Sequence, residues 1–138
     1  MLTIFVDTSV LFAAANIRDQ HNGRAKTILA GATTPVLTDH VLVETWRLLR
    51  DRIHGRAAEQ FWYGLRRGAA RIENTITSDL ERAWEIGEAF PDQEFSIVDR
   101  TSFAVMERLG ITRAASFDAH FAIYRYGRER NKAFEIVR

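Results

Sequence analysis

The sequence contains no cysteine, only 2 prolines, and no apolar stretch long enough to cross a membrane. Without cysteine there is no disulfide and no thiolate, so a bound metal would need carboxylate, carbonyl or imidazole ligands. The apolar N-terminal segment carries no basic residue and is interrupted early by Asp7. That pattern is unlike a signal peptide or a membrane span. We therefore expect no membrane association and, by default, a cytoplasmic location.

Lysine is also scarce, since Lys26 and Lys132 are the only two among 19 basic residues. Arginine suits contacts with phosphates and bases, although a GC-rich coding sequence would enrich it equally well. Several of these arginines lie in the basic segment 124–132. This segment is either a polyanion contact or an ordinary solvated loop.

The length and composition predict one globular domain spanning residues 1–138. The chain has 138 residues, of which 46% are hydrophobic and 27% charged, which is enough for one core and too few for two. Apolar β-rich runs alternate with segments of helical periodicity, so the fold class is α/β. We predict a three-layer α/β/α sandwich around a mostly parallel sheet of about five strands. The predicted strands cover residues 3–6, 35–38, 70–73, 112–117 and 134–137.

Local patterns also predict where several helices begin. Ser9 is a candidate N-cap for the first helix, and Thr38 or Asp39 for the helix after the second strand. Capping boxes are predicted at Ser78-x-x-Glu81 and at Ser96-x-x-Asp99.

Four acidic residues are predicted to meet at one edge of the sheet. Asp7 and Asp118 each follow a predicted strand, whereas Glu44 and Asp99 lie near the starts of helices. In open parallel α/β sheets the loops beyond the carboxyl ends of the strands converge on the functional site. The topology therefore predicts one acidic pocket built from residues that are far apart in sequence.

A group of carboxylates needs a cation, because mutual repulsion would otherwise raise their pKa values. Oxygen ligands favour Mg²⁺ or Mn²⁺, and such ions are suited to phosphate esters. Each acid also has an ordinary structural interpretation. Asp99 could complete a capping box, Asp118 could cap a helix, and Glu44 could be a surface charge. A carboxylate directly after a buried strand, as at Asp7, is harder to explain without a function.

Taken together, the acids lie in four motifs that resemble those of PIN-domain ribonucleases, and in particular the VapC-type toxins of bacterial toxin–antitoxin pairs. Each motif alone is weak, but all four occur in the expected order over most of the chain. The motifs are residues 5–11 (FVDTSVL), 38–45 (TDHVLVET), 96–106 (SIVDRTSFAVM) and 116–121 (SFDAHF).

The resemblance implies metal-dependent endonucleolytic cleavage of RNA, typically transfer RNA or ribosomal RNA. Asp7, Glu44, Asp99 and Asp118 would be the catalytic and metal-binding residues, and Ser9 would support a ligand by hydrogen bonding. The cofactor would be Mg²⁺ or Mn²⁺. The resemblance also implies an antitoxin bound over the helices near the second strand, and a homodimer.

One position departs from the family pattern. Some relatives have a further aspartate two residues after the fourth motif's aspartate, where this chain has His120. This substitution leaves the number of metal ions open. His120 is either a residue that contacts phosphate or transfers a proton, or a bystander beside the site.

Other acidic α/β sites fit the sequence less well. A haloacid dehalogenase needs a second aspartate two residues after the first, where this chain has Ser9. A receiver domain needs a lysine at the end of its last strand, whereas Lys132 precedes the last predicted strand. Two alternatives within the PIN family stay open: an RNA-processing nuclease without an antitoxin, and a module that binds RNA or protein without cleaving.

Overall fold

The computed structural model describes residues 3–32 and 34–138. Its five strands are β1 (Thr3–Val6), β2 (Thr34–Thr38), β3 (Arg71–Glu73), β4 (Arg113–Ala115) and β5 (Glu135–Val137). Its helices are α1 (Thr8–Ala15), α2 (Asn22–Gly31), α3 (Asp39–Arg52), α4 (Gly55–Arg66), α5 (Thr77–Ala89), α6 (Ile97–Leu109) and α7 (His120–Ile123).

All five strands join one sheet in the order β3-β2-β1-β4-β5, and every neighbouring pair is parallel. The chain first builds outward from β1 to β3 and then crosses back to place β4 on the other side of β1. The order of strands therefore reverses between β1 and β4. In open α/β sheets this reversal opens a crevice at the carboxyl ends of the two strands.

The helices form two groups by contact. In the first group α1 packs on α2 and α3, and α3 packs on α4; in the second group α6 packs on α5 and α7. Helices α3 and α6 touch between the groups. Right-handed crossovers place the two groups on opposite faces of the sheet. The predicted α/β/α architecture with a parallel five-stranded sheet is confirmed. Among the described residues, no helix is long and apolar enough to span a membrane.

The core is strongly aromatic on the side of α6. The rings of Phe103 and Tyr124 stack with centroids 4.3 Å apart, and Phe121 meets Phe103 edge-on at 4.9 Å. All three side chains are fully buried. Because Phe121 ends the fourth motif and Tyr124 follows it closely, this packing fixes the short segment that carries Asp118 and His120.

Two predicted helix starts are wrong. Ser9 does not cap α1: the helix already begins at Thr8, and the Ser9 hydroxyl donates to Asp7 instead. The box at Ser78 and Glu81 is also not formed, since α5 begins at Thr77 and the backbone N–H of Ile76 donates to Asp79. In contrast, the Ser96–Asp99 capping box is present in both directions, and Thr38 caps α3 as predicted.

Candidate active site

Asp7 lies at the reversal point of the sheet, immediately after β1. Its backbone N–H donates to the carbonyl of Ala115, which ends β4, so β1 and β4 are joined up to this position. Its carbonyl accepts hydrogen bonds from the N–H groups of Val10 and Leu11 in α1. The sheet and the helix together fix the backbone of Asp7 and direct its side chain to the crevice.

Two serine hydroxyls hold the Asp7 side chain. The Oγ atoms of Ser9 and Ser116 each donate to Oδ2 of Asp7 at 2.9 Å. Ser9 Oγ also accepts from the N–H of Phe117, and Ser116 Oγ accepts from the N–H of Asp118 at 3.0 Å. The carboxylate is therefore connected to the loop after β4 through both hydroxyls.

Ionisation of the Asp7 carboxyl group is unfavourable in this position. It is only 5% exposed. Burial raises the pKa of its carboxyl from 3.8 to about 6; the two serine hydroxyls oppose the rise, and the nearby charge of Asp99 adds to it. A buried carboxylate with a raised pKa and only neutral donors is a group that a cation would stabilise.

Asp99 lies in the first turn of α6 and has two partners. Its Oδ2 accepts a hydrogen bond from the backbone N–H of Ser96 at 3.1 Å, which closes the capping box. The same oxygen lies 2.8 Å from Nδ1 of His120. Capping and a site contact are thus not competing explanations for Asp99, because the cap directs the carboxylate to the site.

His120 connects two of the acids. Besides its contact with Asp99, its backbone N–H donates to Oδ1 of Asp118 at 2.8 Å, and its Nδ1 lies 3.5 Å from that same oxygen. Partial burial disfavours the imidazolium, but the hydrogen bond to Asp99 and the charges of Asp118 and Asp7 raise the pKa of His120 above its ordinary value. His120 thus lies within the acidic cluster, in contact with both Asp99 and Asp118.

All four predicted acids line one cavity of about 470 Å³ at this edge of the sheet. Asp99, Asp118 and His120 form its tightest group, with one ligand atom from each lying within 4.8 Å of the others. Glu44, half-buried in α3, lines the same cavity, and neither Glu44 nor Asp7 belongs to such a group among the described residues. The predicted convergence on one cavity is therefore observed, with Asp99 and Asp118 as the two acids that share the group with His120.

The donor set fits a divalent cation. The cavity brings together the carboxyl groups of Glu44 in α3, Asp99 in α6 and Asp118 in the loop after β4, together with the buried Asp7. Carboxylate oxygens are the ligands that hard divalent cations prefer. The arrangement can therefore hold a metal ion against a phosphate.

Sequence reasoning assigned no role to several residues in or beside the cavity. Ser116 is fully buried beside it and holds Asp7 by a hydrogen bond. His21 and Arg52 line the cavity, each against an aromatic ring. The His21 ring stacks on Phe117, and the Arg52 guanidinium lies over Phe12. No local pattern marks these two contacts, because both join distant parts of the chain.

The fold agrees with comparisons to known proteins. The family model of the PIN domain matches residues 4–126, so the chain belongs to the PIN domain family. Among curated proteins it is 43% identical over 121 residues to the 23S rRNA-specific endonuclease VapC20 of Mycobacterium tuberculosis, in strains CDC 1551 and H37Rv alike. This alignment covers 86% of the chain and 92% of the relative.

A solved structure is similar as well. The crystal structure of Mycobacterium tuberculosis VapC20, described as a toxin that cleaves the sarcin–ricin loop, superposes with a TM-score of 0.78 at 40% identity. The match covers 83% of this chain and 89% of that one. The resemblance to VapC-type toxins is therefore confirmed at the level of family, fold and related proteins.

Proposed function

We propose that this protein is a divalent-metal-dependent endoribonuclease and the toxin of a toxin–antitoxin pair. The observation that carries the proposal is the raised pKa of the buried Asp7 carboxyl within a cavity lined by three further acids. Such a group is poised to bind a cation, and PIN-domain nucleases act through divalent metals. The identity to VapC20 supports RNA as the substrate.

Asp7, Glu44, Asp99 and Asp118 would hold the ion, Mg²⁺ or Mn²⁺, in this proposal. When bound, the ion supplies charge stabilisation at the phosphate and a lower pKa for water. Ser9 and Ser116 keep the Asp7 carboxylate in place through their hydroxyls. His120 contacts Oδ2 of Asp99 through Nδ1, and the hydrogen bond to Asp99 and the charges of the nearby acids raise its pKa.

Among possible substrates we favour 23S ribosomal RNA over transfer RNA, because the two relatives with 43% identity are described as 23S rRNA-specific. The protein would then act in the cytoplasm as a homodimer restrained by a cognate antitoxin. Co-purification with the product of a neighbouring antitoxin gene, and the mass of the free protein by light scattering, test these two partners.

The direct test of the function is cleavage by the purified protein, freed of antitoxin. We expect cleavage of a 23S RNA fragment containing the sarcin–ricin loop when Mg²⁺ or Mn²⁺ is supplied, and none in EDTA. Asp7→Asn should abolish cleavage, while Asp92→Asn, an exposed aspartate outside the cavity, should leave it intact. Equal cleavage by the Asp7→Asn and wild-type proteins would refute the mechanism.

A further inference from the structure

One wall of the catalytic cavity carries a stacked pair of rings that the chemistry above does not use. The rings of His21 and Phe117 have centroids 4.7 Å apart and planes inclined by 29°. Both residues line the cavity, and His21 is exposed. Because Phe117 supports one side of the imidazole, the exposed part of the ring is left to face a ligand in the cavity.

The loop that carries His21 is held in place by side chains. Oδ1 of Asp19 accepts a hydrogen bond from the His21 backbone N–H at 2.8 Å. The next residue, Asn22, donates through Nδ2 to the carbonyls of Ala13 and Ala14 at the end of α1. The ring is therefore presented from a fixed turn, which lowers the entropy cost of binding to it.

The stacked pair is also fixed relative to the acids. Phe117 lies between Ser116, which donates to Asp7, and Asp118, and its own N–H donates to Ser9 Oγ at 2.9 Å. The platform and the carboxylates consequently share one hydrogen-bonded loop. A ligand that contacts both would be held in a set position relative to Asp7.

The chemistry of this wall suits a nucleobase. Sequence-specific binding of RNA relies on unstacked bases that lie against aromatic or histidine rings. The acidic side of the cavity suits the phosphate with its metal, whereas the stacked rings offer an apolar face to a base. We propose that His21, backed by Phe117, is the stacking platform for an unpaired RNA base next to the cleaved bond; this inference rests on the proposed ribonuclease function.

The experiment compares His21→Ala and His21→Phe on a sarcin–ricin-loop RNA hairpin in Mn²⁺. We expect His21→Ala to lower kcat/KM by roughly 5- to 150-fold, the effect of losing one stacked base. His21→Phe, which keeps a planar ring, should stay within about threefold of the wild type by the same reasoning. Tyr63→Ala, an exposed aromatic on α4 outside the cavity, is the matched control.

Abasic substitutions in the RNA identify the stacked base. Once the wild-type cleavage site is mapped, each flanking nucleotide is replaced in turn by an abasic one. At one position the abasic RNA should lower kcat/KM of the wild type as much as His21→Ala does on intact RNA. On that abasic RNA, His21→Ala should lower kcat/KM no further. A role confined to protein stability would not produce this coupling.

The outcomes separate the two proposals. Suppose that the wild type cleaves the RNA. The stacking platform is then refuted if His21→Ala keeps the wild-type kcat/KM, if His21→Phe loses as much kcat/KM as His21→Ala, or if the effects of His21→Ala and the abasic substitution are additive at every position. The proposed nuclease function would still stand in each of these cases. If the wild type cleaves no RNA, both proposals fall.

Discussion

The Oγ atom of Ser116 donates to Oδ2 of Asp7 over 2.9 Å, although 109 positions separate the two residues in the chain. This hydrogen bond crosses the point where the strand order reverses, and it continues to Asp118, whose N–H donates to the same hydroxyl. One serine thus aligns the acid after β1 with the acid after β4. The relation makes Ser116 a positioning residue for both.

Replacing Ser116 by alanine should therefore weaken metal binding without unfolding the protein. Loss of a hydroxyl that orients a ligand typically costs about 10- to 100-fold in metal affinity or activity. Titration calorimetry with Mn²⁺ measures the affinity, and circular dichroism checks the fold. Ser78→Ala removes an exposed hydroxyl and should have no effect. Unchanged Mn²⁺ affinity in the Ser116 variant would show that Asp7 needs no such support.

Asp7 should make the metal-free protein less stable as the pH rises. Its pKa is about 6 in the folded state against 3.8 for the ordinary group. A raised pKa stabilises the folded state below pH 4, and this contribution is lost between pH 4 and 6. The loss is on the order of 3 kcal/mol by linkage.

Urea unfolding in EDTA tests this directly. At pH 7.5 the Asp7→Asn protein should be more stable than the wild type, and the difference should vanish near pH 4. Added Mn²⁺ should stabilise the wild type alone. If the variant is less stable than the wild type at pH 7.5, the burial cost of Asp7 has been assigned wrongly.

Arg52 should contribute a phosphate contact at the mouth of the cavity. It is the arginine among the cavity residues, and its guanidinium lies 5.8 Å from the centre of the Phe12 ring. Removing one such contact lowers RNA affinity and reduces the slope of log K against log salt by about 1. Fluorescence anisotropy with Arg52→Gln across a KCl series measures both quantities.

The control is Arg50→Gln, in the same helix but paired with Asp51 and outside the cavity. It should keep the wild-type salt slope. Equal slopes for all three proteins would exclude Arg52 from the RNA contact surface.

An ion pair that contains a buried carboxylate should matter more for stability than one between two exposed side chains. Asp79 is 2% exposed and accepts hydrogen bonds from the Arg108 guanidinium at 2.9 and 3.0 Å, which ties α6 to the start of α5. Arg108→Leu leaves this carboxylate without its cation and should cost roughly 3 kcal/mol of unfolding free energy.

The exposed pair of Arg50 and Asp51 provides the comparison. Arg50→Leu should cost less than about 1 kcal/mol. Urea unfolding of both variants gives the two values, and a loss at Arg108 no larger than that at Arg50 would contradict the expected role of burial.

Much of the fold followed from local patterns, because β1 and the centre of β2 are short apolar runs bounded by polar or turn residues. The change from apolar residues to Asp7 indicates the end of β1, and the Ser96–Asp99 capping box correctly predicts where α6 starts. The start of α5 was wrong because Thr77, Ser78 and Asp79 allow overlapping capping patterns. Asp79, which the structure uses in the cap, also forms an ion pair with Arg108, 29 positions away in the chain. Local sequence patterns do not reveal such a tertiary contact.

The location of the site could be predicted from the sequence, but the hydrogen bonds between its residues could not. Strand ends and motif spacing indicated that Asp7, Asp99 and Asp118 would converge. The contact of His120 with Asp99 depends on how α7 packs beneath the aromatic core, where Phe95 meets the His120 ring edge-on at 5.2 Å. Such contacts join residues far apart in sequence, so no local period reveals them.

The reversal of strand order also determines when the acidic cavity can form. During synthesis, Asp7 leaves the ribosome early, but Ser116 and Asp118 follow only after most of the chain has been made. Until β4 pairs with β1, Asp7 has neither its serine partner from the loop after β4 nor Asp118 near it. The complete cavity can therefore form only near the end of translation.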